Sequence, residues 1–119
     1  MSGSLHLINE TRGTSLGEKV DLADSFLSRF NGLMWRRSLP EGEGLWIIPC
    51  NSVHMAWMFI PLDIIFLDKT QCIVHTIENL KPWRVSPLIK KAHSVIELPV
   101  GTIQKTQSQV GDLISSRQN

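Results

Sequence analysis

A chain of 119 residues that is 42% hydrophobic and 19% charged has the length for one ordinary core and too little charge to stay disordered. Twelve Lys and Arg face eleven Asp and Glu, a net charge of +1, so no global field gathers polyanions and nucleic-acid binding is not expected. No apolar run approaches the roughly 18 residues of a membrane-spanning helix, and MSGSLHLINE lacks the charged start and apolar stretch of a secretory signal, so neither is expected.

Residues 5–8 read as a first strand, ended by the turn-rich run Asn9-Glu10-Thr11-Arg12-Gly13-Thr14. Residues 16–22 are a second. The period then changes: Leu22, Phe26, Leu27 and Phe30 share one helical face, Asp21 or Asp24 can cap the amino end, and Asn31-Gly32 supplies a stop. That pattern predicts one clear helix near residues 23–31. A glycine-containing loop, Pro40-Glu41-Gly42-Glu43-Gly44, leads into a buried strand at 45–48 that Pro49 ends.

Residues 64–67, an apolar β-branched run, and 72–77 form a hairpin about Asp68-Lys69-Thr70-Gln71. Pro82 and Pro87 bracket an irregular loop, because proline has no amide hydrogen to give a ladder. Residues 94–98 alternate as a strand, Pro99-Val100-Gly101 turns, and 109–114 closes the fold. The expectation is a single domain over residues 1–119, frayed at about 1–4 and 115–119. It is mainly β, a small antiparallel barrel or rolled sheet of at least six short strands with the one helix at an opening.

Chemistry concentrates in Cys50-Asn51-Ser52-Val53-His54-Met55-Ala56-Trp57-Met58. On a strand, Cys50, Ser52, His54, Ala56 and Met58 would share one side. A thiolate, an imidazole and a thioether facing one way suit a soft ion such as copper(I). Strand geometry sets Cys50 and His54 ~13 Å apart, too far for a nucleophile and its base, whereas a helix would align the same residues and bring that pair close enough. Asp63, after Pro61-Leu62, either orders a turn or points into a pocket.

Lys81-Pro82-Trp83-Arg84 puts cations beside an indole on a proline-stiffened loop, a surface for stacking or for an anionic group. Glu97 is expected to face solvent or to pair with an arginine. Trp35, Trp46, Trp57 and Trp83, with no tyrosine, line a groove or pack the core. Arg36-Arg37 and Lys90-Lys91 read as solvated pairs, and Cys50 and Cys72, the only cysteines, suit a reducing cytoplasm.

The runs GLMWRRSLP, GLWIIPCNSVHMAWMFIPLDIIFLD, ENLKPWR, AHSVIELPVGTI and VGDLI, in this order over about residues 30–114, resemble the uncharacterised family catalogued as domain of unknown function 192. The pattern is a Gly-Leu-Met at 32–34, Cys50-x-x-x-His54-x-x-x-Met58, Pro61-Leu62-Asp63, the Leu-Glu-Leu-Pro-x-Gly equivalent at 96–101, and Gly111-Asp112. Two positions depart from the commoner pattern: Met55 stands where threonine is frequent, and Trp57 where a small residue is frequent, so a pocket there is expected to be partly filled. The resemblance implies a small β-rich fold and brings no agreed activity, substrate or cofactor.

These residues point first to a non-enzymatic binding module that presents His54, Asp63, Trp83 and Arg84 to a small polar ligand, a glycan or a partner peptide. The alternatives are a small cytoplasmic enzyme using Cys50 or His54 with Asp63, and a copper-type site of Cys50, His54 and Met58. No cofactor is expected, and the sequence sets no oligomeric state.

Overall fold

The computed structural model describes residues 4–24, 33, 36–55 and 58–119. The described residues form seven strands: β1 (Leu5–Asn9), β2 (Thr14–Ala23), β3 (Glu43–Ile47), β4 (Leu62–Leu67), β5 (Ile73–Leu80), β6 (Ser94–Leu98) and β7 (Ile114–Gln118). One short helix, α1 (Thr102–Thr106), lies between β6 and β7. The strands form one sheet in the order β5-β4-β6-β3-β2-β1-β7. Every neighbouring pair is antiparallel except β2 and β3, which run parallel. A parallel pair needs a long crossover, and residues 24–42 supply it.

The sheet curls until its two edges touch at one end. Cys72 bridges Leu113, the Ile73 amide donates to the Asp112 carbonyl at 2.8 Å, and the Ile114 amide donates to the Gln71 carbonyl at 2.9 Å. The result is a half-barrel. Every residue of β4 and of β6 is buried, as expected for strands covered on both faces. That double burial is why residues 64–67 form an unbroken apolar run.

The two faces carry separate cores. Leu7, Val20, Trp46, Ile65, Ile96, Ile114 and neighbours fill the inside of the curl, with Ile103 of α1 packed among them. Leu45, Ile47, Ile64, Phe66 and Val95 project to the other face, where Leu33, Val53, Met55 and Met58 cover them. Deep burial of this kind contributes about 1.5–3 kcal/mol for each large side chain.

Two differences from the sequence reading have physical causes, and one expectation lies almost wholly outside the described residues. The helix expected near 23–31 lies, beyond Asp24, outside the described residues, and Ala23 itself ends β2. The closing strand starts at Ile114 rather than ending there, so 115–118, expected to fray, pairs with β1 from Leu5↔Gln118 to Asn9↔Ile114. Polar side chains conceal this strand because its stabilisation comes from backbone bonds at a sheet edge. The helix α1 was hidden because it spans one turn and its amino end is held by a distant carboxylate, Asp63.

Close approach of β6 to β3 depends on Gly44. A Cβ there would stand 2.7 Å from the Glu97 backbone carbonyl oxygen and 2.8 Å from Leu98 Cδ2. Backbone cannot rotate away, so Gly44→Ala is expected to lower stability by about 2 kcal/mol and the Tm by roughly 10 °C. Thermal denaturation followed by circular dichroism measures this, and an unchanged Tm would contradict the packing.

Candidate functional site

Residues 50–55 do not join the sheet. They run antiparallel to 83–89 as a loop pair laid over the second core. Met55 donates its amide to the Arg84 carbonyl at 2.7 Å and accepts from the Trp83 amide at 2.8 Å, while Ser86 donates to the Val53 carbonyl at 2.8 Å and Ile89 to that of Asn51 at 2.9 Å. Ser86 is buried and its hydroxyl also accepts from the Val53 amide at 2.9 Å. Val53 and Met55 point inward, with Met55 fully buried. His54, between them and bridged to Val85, is therefore exposed.

This arrangement unites three of the four candidate residues. His54, Trp83 and Arg84 lie on adjoining chain segments and all three are exposed. Trp83 is 58% exposed and sits at φ 67°, the left-handed region that a bulky residue seldom adopts. Val85 and Leu88 extend the apolar surface along the same loop. Phe59, on the covering segment, is also exposed and carries the Arg37 guanidinium 4.7 Å from its ring centroid. Apolar residues between the two loop prolines or directly after the second, where no core-facing period exists, were the signal that could have found Val85 and Leu88.

The fourth residue is elsewhere. Asp63 is fully buried, and on β4 it alternates with Leu62 and Ile64, which face the second core, so its carboxylate enters the opposite face of the sheet. One oxygen accepts the Asn79 amide at 3.0 Å; the other accepts those of Gly101 at 3.1 Å and Ile103 at 2.9 Å. The first bond lies at a bulge: Leu62 pairs with Leu80 but Ile64 with Ile77, leaving one extra residue on β5, and Asn79 turns at φ 56°. Asp63 thus sets the direction in which β5 leaves toward Trp83 without reaching the ridge.

The soft-ligand trio also divides. His54 is exposed, Met58 is buried, and Cys50 is half-buried with its thiol donating to the Ser52 carbonyl at 3.0 Å. Among the described residues no group of three or more His, Cys, Asp and Glu is placed to hold a metal ion. Of the four tryptophans, Trp46 is a core residue whose indole N–H donates to Ser94 at 2.9 Å, and Trp35 and Trp57 lie outside the described residues.

Glu97 overturns its expectation. It is buried, at 8% exposure, because β6 is flanked by β3 and β4 and both faces are covered; its cross-strand neighbours are Leu45 and Ile64. Alternation with Ile96 and Leu98, which face the inner core, sends its carboxyl toward the second core, beneath the covering segment. Burial pushes its pKa up from an ordinary 4.5 to about 7.

The structure defines a small β half-barrel protein with a ridged loop pair over its outer core. Residues 7–116 match the family model of domain of unknown function 192, described as "Uncharacterized ACR", and the chain belongs to that family. A UPF0127 protein of Thermococcus kodakarensis is 38% identical over 114 residues, spanning 92% of this chain and 71% of that one. A second, from Pyrococcus abyssi, is 34% identical over 113 residues, 91% of this chain and 94% of that one.

Among solved structures, a Novosphingobium aromaticivorans protein of unknown function has a TM-score of 0.79 at 22% identity, covering 93% of this chain and 82% of its own. A Sinorhizobium meliloti protein, provisionally described as a transcription regulator, also has a TM-score of 0.79, at 25% identity with 98% and 96% covered. No helix among the described residues is long and apolar enough to cross a membrane.

The Glu97 carboxyl has a measurable consequence. Below about pH 4.5 folded and unfolded chains both hold the proton. Between about 4.5 and about 7 only the folded chain holds it, so stability falls as pH rises through this window and levels off above it. Glu97→Gln is expected to remove that slope and to exceed the native chain in stability at pH 8 by up to about 3 kcal/mol. Urea denaturation from pH 4 to 8 measures it; parallel curves for both chains would contradict a buried carboxyl.

Proposed function

We propose that this chain is a non-catalytic binding protein whose ligand, a partner peptide, lies across the ridge of His54, Trp83 and Arg84. The observation that carries the reading is an indole left 58% exposed on a backbone tied to Met55. Tryptophan and arginine supply most binding hot spots because one offers a large rigid face and the other a planar, charge-bearing fork. A peptide suits the ridge better than a glycan, since Val85 and Leu88 are exposed by 71% and 64% and aliphatic area has no partner among sugar hydroxyls. Arg84 and Lys81, both exposed, favour an acidic residue beside the apolar one.

Asp63 acts as a positioning residue in this reading, because it holds the bulge from which the loop departs. Cys50 and Cys72 are thiols, which fits a reducing cytoplasm.

Titration of the 15N-labelled chain with peptides pairing an aromatic or aliphatic residue with Asp or Glu tests the reading, with glycans and small metabolites as parallel arms. Saturable shifts centred on Trp83, Arg84 and His54 are expected. Trp83→Asn, which tolerates the left-handed backbone, is expected to weaken binding at least tenfold, about 1.4 kcal/mol, while leaving the Tm in place. Saturation by a glycan or metabolite alone, or binding that survives Trp83→Asn, would overturn it.

A further inference from the structure

A second surface, away from the ridge, concentrates positive charge. The β4–β5 turn and the loop before β6 are fastened together where the His93 amide donates to the Leu67 carbonyl at 2.7 Å. Between them is a cavity of about 370 Å³ lined by Asp68, Lys69, Thr70, Lys90, Lys91, Ala92 and His93. We propose that Lys69, Lys90 and Lys91 bind the phosphate of a small soluble phosphomonoester in this cavity.

Charge supports the assignment. Three ammonium groups against the one Asp68 carboxylate leave a local excess of +2, whereas the whole chain carries +1, so the rest of the surface is net negative. The carboxylate is already engaged: one Asp68 oxygen accepts the Thr70 amide at 2.8 Å, the Thr70 hydroxyl at 2.7 Å and the Cys72 amide at 3.1 Å. These bonds, the Thr70 hydroxyl first, hold its pKa below the ordinary value, so the group stays ionised and shapes the turn. No ion pair among the described residues includes Lys69, Lys90 or Lys91.

Shape and residue type narrow the ligand. Lysine binds as a point charge and suits a tetrahedral dianion, whereas planar carboxylates are better matched by the arginine fork. Ala92 and His93 also line an adjoining cavity with Pro49, Cys50 and Asn51. Ala92 and His93 are thus common to both cavities, and the proposal places the organic part of the phosphomonoester on the side toward Cys50.

The test titrates the full 15N-labelled chain with inorganic phosphate and with glycerol 3-phosphate, against sodium chloride at matched ionic strength. Saturable shifts are expected at Lys69, Thr70 and 90–93, with glycerol 3-phosphate extending them to Cys50 and Asn51. The double variant Lys90→Gln, Lys91→Gln is expected to weaken binding at least tenfold, while Lys105→Gln, on the far side of the sheet in α1, leaves it unchanged. Equal shifts with chloride, or equal affinity in the double variant, would overturn the site. Sedimentation with phosphatidylcholine vesicles carrying phosphatidic acid, without a saturable response to glycerol 3-phosphate, would overturn the soluble source.

Discussion

The fold turns on one buried carboxylate. Asp63 sits at the start of a strand covered on both faces, and its two oxygens take amide hydrogens from three places: the β5 bulge at Asn79, the turn at Gly101 and the first turn of α1 at Ile103. A buried charge is tolerable only with such partners. A carboxylate receiving three charge-assisted bonds stabilises each donor by more than a neutral acceptor would. Through these bonds the inner core, the helix that helps to fill it and the exit of β5 toward Trp83 are set together.

A second carboxylate closes the opposite corner. Asp112, after Gly111, accepts the Asn9 side-chain amide at 2.9 Å, Arg12 at 3.1 Å and the Gln109 amide at 3.0 Å. Burial alone would raise its pKa, but the bonds from Asn9, Arg12 and Gln109 and the Arg12 charge outweigh it and hold the value below the ordinary one. The two acids have contrasting company to Glu97, which meets leucine and isoleucine across both strand pairs. A buried carboxyl therefore fastens the half-barrel where amide donors meet it, at Asp63 and Asp112, and weakens it at high pH where apolar neighbours do, at Glu97.

Much of the β architecture was legible because burial leaves a pattern. Residues 94–98 match β6 in full, the hairpin about Asp68 is present, and the unbroken apolar run at 64–67 marks a strand covered on both faces. What the sequence hid is what depends on distant partners. The helix α1 relies on Asp63, forty residues upstream of Ile103; β7 has a polar sequence and owes its place to β1; Glu97 reads as solvent-facing until β3 and β4 are known to flank it. Site residues were harder still. Proline spacing identified the loop carrying Trp83 and Arg84, yet local sequence has no means of showing that Asp63 faces away from them.

The account is tested most directly by hydrogen exchange on Asp63→Asn, which keeps the shape and removes the charge and half the acceptors. The amides of Asn79, Gly101 and Ile103 are expected to exchange at least about tenfold faster, a loss near 1.4 kcal/mol, and the Trp83 and Arg84 amide resonances to move with them. The Gln109 amide, bonded to Asp112, is expected to keep its protection. Unaltered exchange at the three amides, or a Trp83 loop that does not respond, would contradict the claim that this carboxylate holds the fold and the ridge in one arrangement.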